Sequence, residues 1–383
     1  MKKFNGFVLM ALLVGIFVSC NSGTTSHSTK TATLKDALAE KFYIGTALNA
    51  NQITGKDSAG IEVVKQQFNA IVPENCMKSA EIQPMEGEFD FELADQFVDF
   101  GVQNEMFITG HCLIWHSQVP SWFFTDNEGN DVSREVMIER MKNHIYTVVG
   151  RYKGKIQGWD VVNEAIMEDG SFRNSKFYQI VGEDFIKQAF QFAHEADPDA
   201  ELYYNDYNEW YPGKRDAIVK MIRDLKVDGV RIDGIGMQGH VGMDSPSLED
   251  YEAAMVAYAN EGVKVMVTEL DMSILPNRRR DVGADISTNI EYQKELNPYT
   301  DGVVPQEKQD EWDARMVDFF ELFLKHSHNM RRVTLWGVAD GDSWKNNFPV
   351  RGRTDYPLLF DRNHQPKSAV AKIIELTKEE GRH

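Results

Sequence analysis

Cysteine is nearly absent from this chain of 383 residues: Cys20, Cys76 and Cys112 are its three. Only Cys76 and Cys112 lie beyond the first 20 positions, too few for a disulfide scaffold, so two buried free thiols are expected. No C-x-x-C pair or clustered Cys/His spacing is present, which argues against a structural zinc. A basic excess is missing too. Lys and Arg total 41 against 59 Asp and Glu, a formal charge of −18. That field repels nucleic acid and suits a neutral small molecule or polysaccharide, unless the acidity serves only solubility. No glycine-rich loop opens a helix after a strand-like run, so phosphate binding is not expected. From Leu34 onward no Pro/Gly/Ser-rich linker interrupts the chain. One domain without an appended module follows.

Long apolar runs are scarce. Phe7 to Val18 is the exception, and its twelve residues fall short of the about 20 that span a bilayer. With Lys2 and Lys3 before it, residues 1–20 read as a targeting segment. Phe17-Val18-Ser19-Cys20 resembles a bacterial lipoprotein cleavage box, with Phe17 where Leu is usual. Cys20 is then the lipidated first residue of an exported, membrane-anchored protein, facing the periplasm or the cell surface. An ordinary secretory signal is the alternative. Residues 21–33 are a polar tether with nothing to bury.

Residues 34–383 alternate strand-like runs with amphipathic helical stretches. The runs are Tyr43–Asn49, Ala70–Lys78, Glu105–Trp115, Ile156–Glu164, Glu201–Asn208, Ile232–His240, Lys264–Ser273 and Arg331–Asp340. Helical patterns between them include 91–102, 134–149, 176–195, 213–226, 248–260 and 306–325. Eight such repeats predict an α/β fold, a single (β/α)₈ TIM barrel. The runs begin apolar and end in reactive groups, among them Asn163 and Glu164, Gln238 and His240, and Glu269 and Asp271. Active sites of such barrels sit where these ends converge. A merely structural barrel has no need of them there.

Trp159-Asp160-Val161-Val162-Asn163-Glu164 and Val267-Thr268-Glu269-Leu270-Asp271 carry the chemistry. Each apolar run stops at a glutamate, and two such carboxylates can cleave a glycosidic bond. As a general acid, Glu164 must be held protonated by burial or a neighbouring negative charge. Glu269 is the candidate nucleophile. His240 is placed to hydrogen-bond it, and Asp271 to fix the imidazole. The pair alone leaves the order of roles, and retention or inversion, open. Asn163 is suited to a sugar 2-hydroxyl, and Asn75, Lys78 and His111 to further hydroxyls. Trp115, Trp336 and Trp344 suit pyranose stacking, against a default of core packing. His111 and His116 with Asp206 or Asp271 form a weaker metal reading: they show no H-E-x-x-H spacing and lie on distant runs. No metal or cofactor is expected.

The same segments resemble the two active-site signatures of glycoside hydrolase family 10, chiefly endo-β-1,4-xylanases on a (β/α)₈ barrel. The resemblance continues through Glu74-Asn75-Cys76-Met77-Lys78, Gly110-His111-Cys112-Leu113-Ile114-Trp115-His116, Tyr204-Asn205-Asp206-Tyr207-Asn208, Gly234-Ile235-Gly236-Met237-Gln238-Gly239-His240 and Leu335-Trp336-Gly337-Val338. It implies a retaining mechanism, with Glu164 as acid/base, Glu269 as nucleophile and carboxyls about 5–5.5 Å apart. It implies that Glu74, Asn75, Lys78, His111, Trp115, Gln118, Gln238, Trp336 and Trp344 line the glycone side. Asn205 and His240 then support the nucleophile, and Tyr207 reaches the aglycone side. Xylan and xylo-oligosaccharides are the implied partners of a monomeric enzyme. A β-1,4-glucanase on the same barrel and a non-catalytic xylan-binding lipoprotein are the rivals.

Two departures stand out. Ser79 replaces the family's usual Trp, and Ala80-Glu81-Ile82-Gln83-Pro84 differs from the usual Asp-Ala-Thr-Glu-Pro type. This puts glycone contacts one subsite further out in question. The polar connection from Ile274 to Pro305, with Arg278-Arg279-Arg280, far exceeds the usual barrel loop of about 2–6 residues. It is either a solvated insert or a shaper of the cleft toward acid-substituted xylan.

Overall fold

The computed structural model describes residue 1 and residues 32–276 and 291–380. Residues 2–31, which hold Cys20 and nearly all of the expected targeting segment, and Arg278 to Arg280 lie outside the described residues. Nine strand segments form the sheet: β1 (Tyr43–Leu48), β2 (Ala70–Pro73), β3 (Phe107–Trp115), β4 (Gly158–Asn163), β5 (Glu201–Asp206), β6 (Gly234–Met237), β7 (His240–Gly242), β8 (Lys264–Ser273) and β9 (Met330–Leu335). All neighbours are parallel. The order runs β6-β5-β4-β3-β2-β1-β9-β8, and β6 pairs with β8 to close the ring. β6 and β7 are two parts of one stave, both on β8. The expected (β/α)₈ barrel is the observed fold.

The strands are apolar runs because both of their faces are covered. All nine residues of β3 are buried. Outside the ring, helices lay one stripe on the sheet. In helix Arg134–Arg151 the stripe is Met137, Met141, His144, Ile145 and Val148, at the three- and four-residue spacing of one face. Ser133, Ser175 and Ser247 each cap a helix, accepting from the backbone N–H three residues on. Cys76 and Cys112 are free and buried, and burial pushes the Cys76 thiol up to about 12. Among the described residues no helix is long and apolar enough to cross a membrane.

Close approach sets Gly110 in β3. A Cβ there would stand 2.1 Å from the Trp159 ring, which is itself buried. Gly110→Ala is therefore expected to lower stability by about 1–3 kcal/mol. Chemical denaturation checks this; an unchanged midpoint would mean that Trp159 moves aside without cost.

Several strands end earlier than the sequence suggests. β2 stops at Pro73 rather than Lys78, β4 at Asn163, β5 at Asp206 and β9 at Leu335 rather than Asp340. The polar residues after them occupy bent backbone. Glu164 and Asn208 have φ of 59° and 56°, and Gly239 and Gly337 have 78° and 135°. None of these is extended. The single helix expected over 176–195 is two, Lys176–Val181 and Asp184–Ala196, parted at Gly182 with φ 83°. Helix Ser58–Gln67, between β1 and β2, buries only Gly60 and Val64, too narrow a stripe to show in the sequence. The described ends of the long connection are docked. Ile274, Leu275 and Leu296 are buried, and the Tyr299 carbonyl accepts from the Tyr356 hydroxyl at 2.7 Å.

Candidate active site

β4 carries Asn163 to the barrel mouth, and Glu164 follows in the left-handed region. For a residue with a Cβ this costs about 1–3 kcal/mol and persists only where neighbours over-determine it. They do. The Glu164 N–H donates to the Asn205 carbonyl at 2.9 Å, and its own carbonyl accepts from Arg173 Nε at 2.8 Å. The next N–H, of Ala165, donates to the Tyr204 hydroxyl at 3.0 Å.

The Glu164 carboxyl thereby points into the barrel mouth. Oε2 accepts from Trp115 Nε1 at 2.8 Å, and Oε1 from Gln238 Nε2 at 3.0 Å. Glu269, within β8, meets a different set. Oε1 accepts from Asn205 Nδ2 at 2.9 Å, and Oε2 lies 3.1 Å from His240 Nε2. His240 Nδ1 is 2.9 Å from Asp271 Oδ1, and Asp271 Oδ2 accepts from Trp344 Nε1 at 2.8 Å. Thr268 Oγ1 donates to Asn205 Oδ1 at 2.6 Å, which fixes the Asn205 amide. Its Nδ2 must then face both Glu269 and Asn163, so Asn163 turns its oxygen toward it, at 3.0 Å. One amide chain thus links the two glutamates.

The environments drive the carboxyls apart. Burial raises Glu164 to about 7, helped by the negative charges of Asp206 and Glu269. Glu269 is equally buried, which alone would raise it. The His240 hydrogen bond and the charges of His111, His240 and Lys78 outweigh that and hold it below the ordinary glutamate value. Burial would likewise lower His240, but Asp271 and Glu269 raise it to about 9. At neutral pH His240 is therefore an imidazolium donating to a carboxylate from each nitrogen. Asp271, lowered by His240, Lys345 and the Trp344 bond against its burial, stays ionised. One carboxyl is poised to give a proton and the other is a fixed anion.

His240→Asn removes the cation from beside Glu269. The carboxylate loses its stabilisation, so its pKa rises and the acidic limb of kcat/KM should move up by about one pH unit. A pH profile on a soluble oligosaccharide reads this, and an unmoved limb would contradict it.

Around the pair lies a cavity of about 250 Å³ open to solvent. Its walls include Glu74, Asn75, Lys78, His111, Trp115 and Gln118 on one side, and Asn163, Gln238, His240, Trp336 and Trp344 around the glutamates. Lys78 Nζ donates to Asn75 Oδ1 at 2.9 Å and sits 5.0 Å from the Trp115 ring centre. Burial raises Glu74, against the pull of Lys78. His111 Nδ1 is 2.9 Å from Asp160, so Nε2 is the nitrogen left for a ligand. Trp344 stacks on Phe348 with centroids 4.4 Å apart.

Asn205, Asp271, Tyr207 and Ser79 do not line this cavity. Asn205 and Asp271 are fully buried behind the cavity, reaching it through Glu269 and His240. Tyr207 is outside this cavity, with its hydroxyl accepting from Arg173 at 2.8 Å and Lys214 4.3 Å from its ring centre. Ser79 is buried, Oγ 3.5 Å from both the Leu113 carbonyl and His144 Nε2. That position packs inward and is not part of this cavity's wall. For metals, the His/carboxylate group geometrically able to converge among the described residues is Asp57, Asp342 and His364. The Gln52 amide already bridges its two aspartates, at 2.7 and 3.2 Å. An H-x-H spacing does occur at His326 and His328, and His326 Nε2 there meets Glu252 at 2.6 Å.

Residues 33–376 match the family model for glycosyl hydrolase family 10. The chain belongs to this family. It is 49% identical over 376 residues to endo-1,4-beta-xylanase A of Xylanibacter ruminicola, covering 98% of this chain and all of that one. It is 41% identical over 352 residues to an endo-1,4-beta-xylanase of Geobacillus stearothermophilus, covering 90% and 98%. Among solved structures, a family 10 endoxylanase retrieved from a sugarcane soil metagenome superposes with a TM-score of 0.87. That match has 46% identity and covers 90% of this chain and 99% of the other. The chain is thus a glycoside hydrolase of family 10.

Sequence reading missed several supporting residues of this family 10 site. Arg173 ties the Glu164 carbonyl to Tyr207, Thr268 sets the Asn205 amide, and Lys345 lies 3.3 Å from Asp271 Oδ1. Lys345 directly follows Trp344, and that adjacency was its one available signal. Arg173 sits in a loop nine residues past Glu164, and nothing in its neighbours marks it.

Proposed function

We propose that this family 10 chain is an endo-1,4-β-xylanase acting with retention through a covalent glycosyl-enzyme. The observation that carries the reading is two buried carboxyls in one cavity whose surroundings push their pKa values in opposite directions. Glu269 attacks the anomeric carbon while Glu164 gives its proton to the departing glycosidic oxygen. Bond formation removes the charge of Glu269, one of the charges that raise Glu164. Glu164 then becomes the stronger acid, stays ionised, and serves as base for the water that releases the sugar. Asn163, donating to Glu164 at 3.3 Å, is the residue assigned to the sugar 2-hydroxyl.

Xylan as substrate rests on the named activities of the relatives, one of which shares about half its residues. Internal cleavage is supported by a second cavity, lined by Asn208, Trp210 and Met243, that shares His240 with the first. We read it as room for a chain to extend past the carboxyls. A non-catalytic binding role has no use for a matched acid and anion. We further assign the protein to the cell envelope as a monomer anchored through lipidated Cys20, on the sequence pattern of residues 1–20; globomycin sensitivity of its processing tests the anchor.

Reducing-sugar release from xylan and from carboxymethylcellulose tests the substrate. Release from xylan, with oligosaccharide rather than xylose as first product, is expected. Preferential release from carboxymethylcellulose would replace this reading with the glucanase, and binding without release with the non-catalytic one.

A further inference from the structure

β6 ends at Met237 and β7 begins at His240, and the break between them serves both glutamates at once. The Gln238 side chain donates to Glu164 Oε1 at 3.0 Å, while the Gln238 carbonyl accepts from the Glu269 N–H at 2.7 Å. His240, on the far side of Gly239, holds Glu269 Oε2. The orientation of this two-residue corner therefore sets both carboxyls. Gly239 leaves it little intrinsic stiffness, having φ of 78° and no side chain.

The Gln238 N–H is what pins it. That N–H is shared between the Asp206 carbonyl at 2.9 Å and Glu209 Oε1 at 2.6 Å. Glu209 has no exposed surface, and its own carbonyl accepts from the Tyr258 hydroxyl at 2.9 Å. Its second oxygen, Oε2, has no hydrogen-bond partner among the described residues, and neither has the Tyr251 hydroxyl. The charged and titratable groups acting on it are Asp206, Lys214, Tyr251 and Tyr258. Lys214 is committed to Asp206 and the Tyr207 carbonyl, at 3.0 and 2.8 Å. Glu209 is thus a buried acid with no cation of its own.

We propose that Glu209 is a positioning residue for the catalytic pair, a neutral carboxylic acid whose Oε1 fastens the Gln238 N–H and so aims Gln238 at Glu164. Burial raises its pKa well above the ordinary glutamate value, which favours the uncharged acid. An amide at this position reproduces both features, an acceptor for Gln238 and no charge. A shorter carboxyl does not, because it cannot reach. The proposal rests on the assignment of Glu164 as acid/base and goes beyond it to what holds that group's partner.

The test compares Glu209→Gln, Glu209→Asp and Glu209→Ala with the parent enzyme on xylohexaose, each checked for a native near-ultraviolet circular dichroism spectrum. Glu209→Gln should keep kcat within about twofold. Glu209→Ala and Glu209→Asp should lose roughly 10- to 100-fold in kcat with KM little changed, the effect of misplacing a reacting group. Gln238 favours the Glu164 carboxylate by donating to it. Loosening Gln238 therefore raises that pKa, and the basic limb of kcat/KM should move up by about half a pH unit. A loss of packing alone leaves the limb in place. Folded Glu209→Asp or Glu209→Ala with native kcat and an unmoved limb would overturn the proposal. So would Glu209→Gln as damaged as Glu209→Asp, since the charge would then be what matters. If Glu209→Ala does not fold, the Gln and Asp variants decide. A parent enzyme without turnover on xylohexaose would instead refute the proposed function.

Discussion

Glu269→Ala will abolish measurable xylan hydrolysis, lowering kcat by about 10⁴- to 10⁶-fold, the range seen when one member of a catalytic unit is removed. Glu269 is the anion of the pair, held by Asn205 at 2.9 Å and His240 at 3.1 Å. Alanine deletes the attacking oxygen and leaves a space on the face of the sugar opposite the leaving group. Azide fits that space. An aryl β-xylobioside with azide should therefore yield the α-glycosyl azide, identified by NMR. Azide without effect, or a β-product, would remove Glu269 from the nucleophile's role. The variant keeps its fold, because the Glu269 carboxylate satisfies Asn205 and His240, both of which water in the vacated space can satisfy instead.

Glu164→Ala has the second-largest expected effect, and its signature is selectivity rather than total loss. Removing the proton donor costs about 10²- to 10⁴-fold where the leaving group needs protonation, as the sugar oxygen of xylan does. A dinitrophenyl leaving group needs none. Glycosyl-enzyme should still form from such a substrate, and then accumulate, because the base for the water step has gone. Azide should speed release and give the β-glycosyl azide, the opposite anomer from Glu269→Ala. A uniform loss across leaving groups would mean that Glu164 acts only in binding. The same pair of assignments fixes the pH dependence. The basic limb follows Glu164, near 7, and the acidic limb follows Glu269, below its ordinary value.

The barrel was legible because burial on both faces writes each strand as a continuous apolar run, and the catalytic pair because a glutamate ends or interrupts two of those runs. What sequence does not show is where the backbone stops being extended. Glu164 at φ 59° carries no local sign of a left-handed conformation, since tertiary hydrogen bonds from Asn205 and Arg173 impose it. Glycine 182 inside an otherwise helical pattern is ambiguous for the same reason: one glycine within a helix is tolerated unless packing turns the chain there. The family pattern puts Tyr207 on the aglycone side and leaves the effect of Ser79 open. Ser79 faces His144 in the interior, and Tyr207 is held by Arg173 outside the first cavity. Charge burial is the least legible property. Glu209 reads in sequence as one more acidic residue of 59 Asp and Glu, and only the structure shows it sealed beneath Gln238.

The division of labour between the two glutamates is tested most directly by peptide mass mapping after inactivation with an aryl 2-deoxy-2-fluoro-β-xylobioside. The fluorine slows both steps, and the activated leaving group lets the first proceed. The account predicts one fluoroxylobiosyl group per chain, on the peptide containing Val267-Thr268-Glu269-Leu270-Asp271 and attached to Glu269. An adduct on Glu164, or none on an enzyme that hydrolyses xylan to the α-anomer, would contradict it.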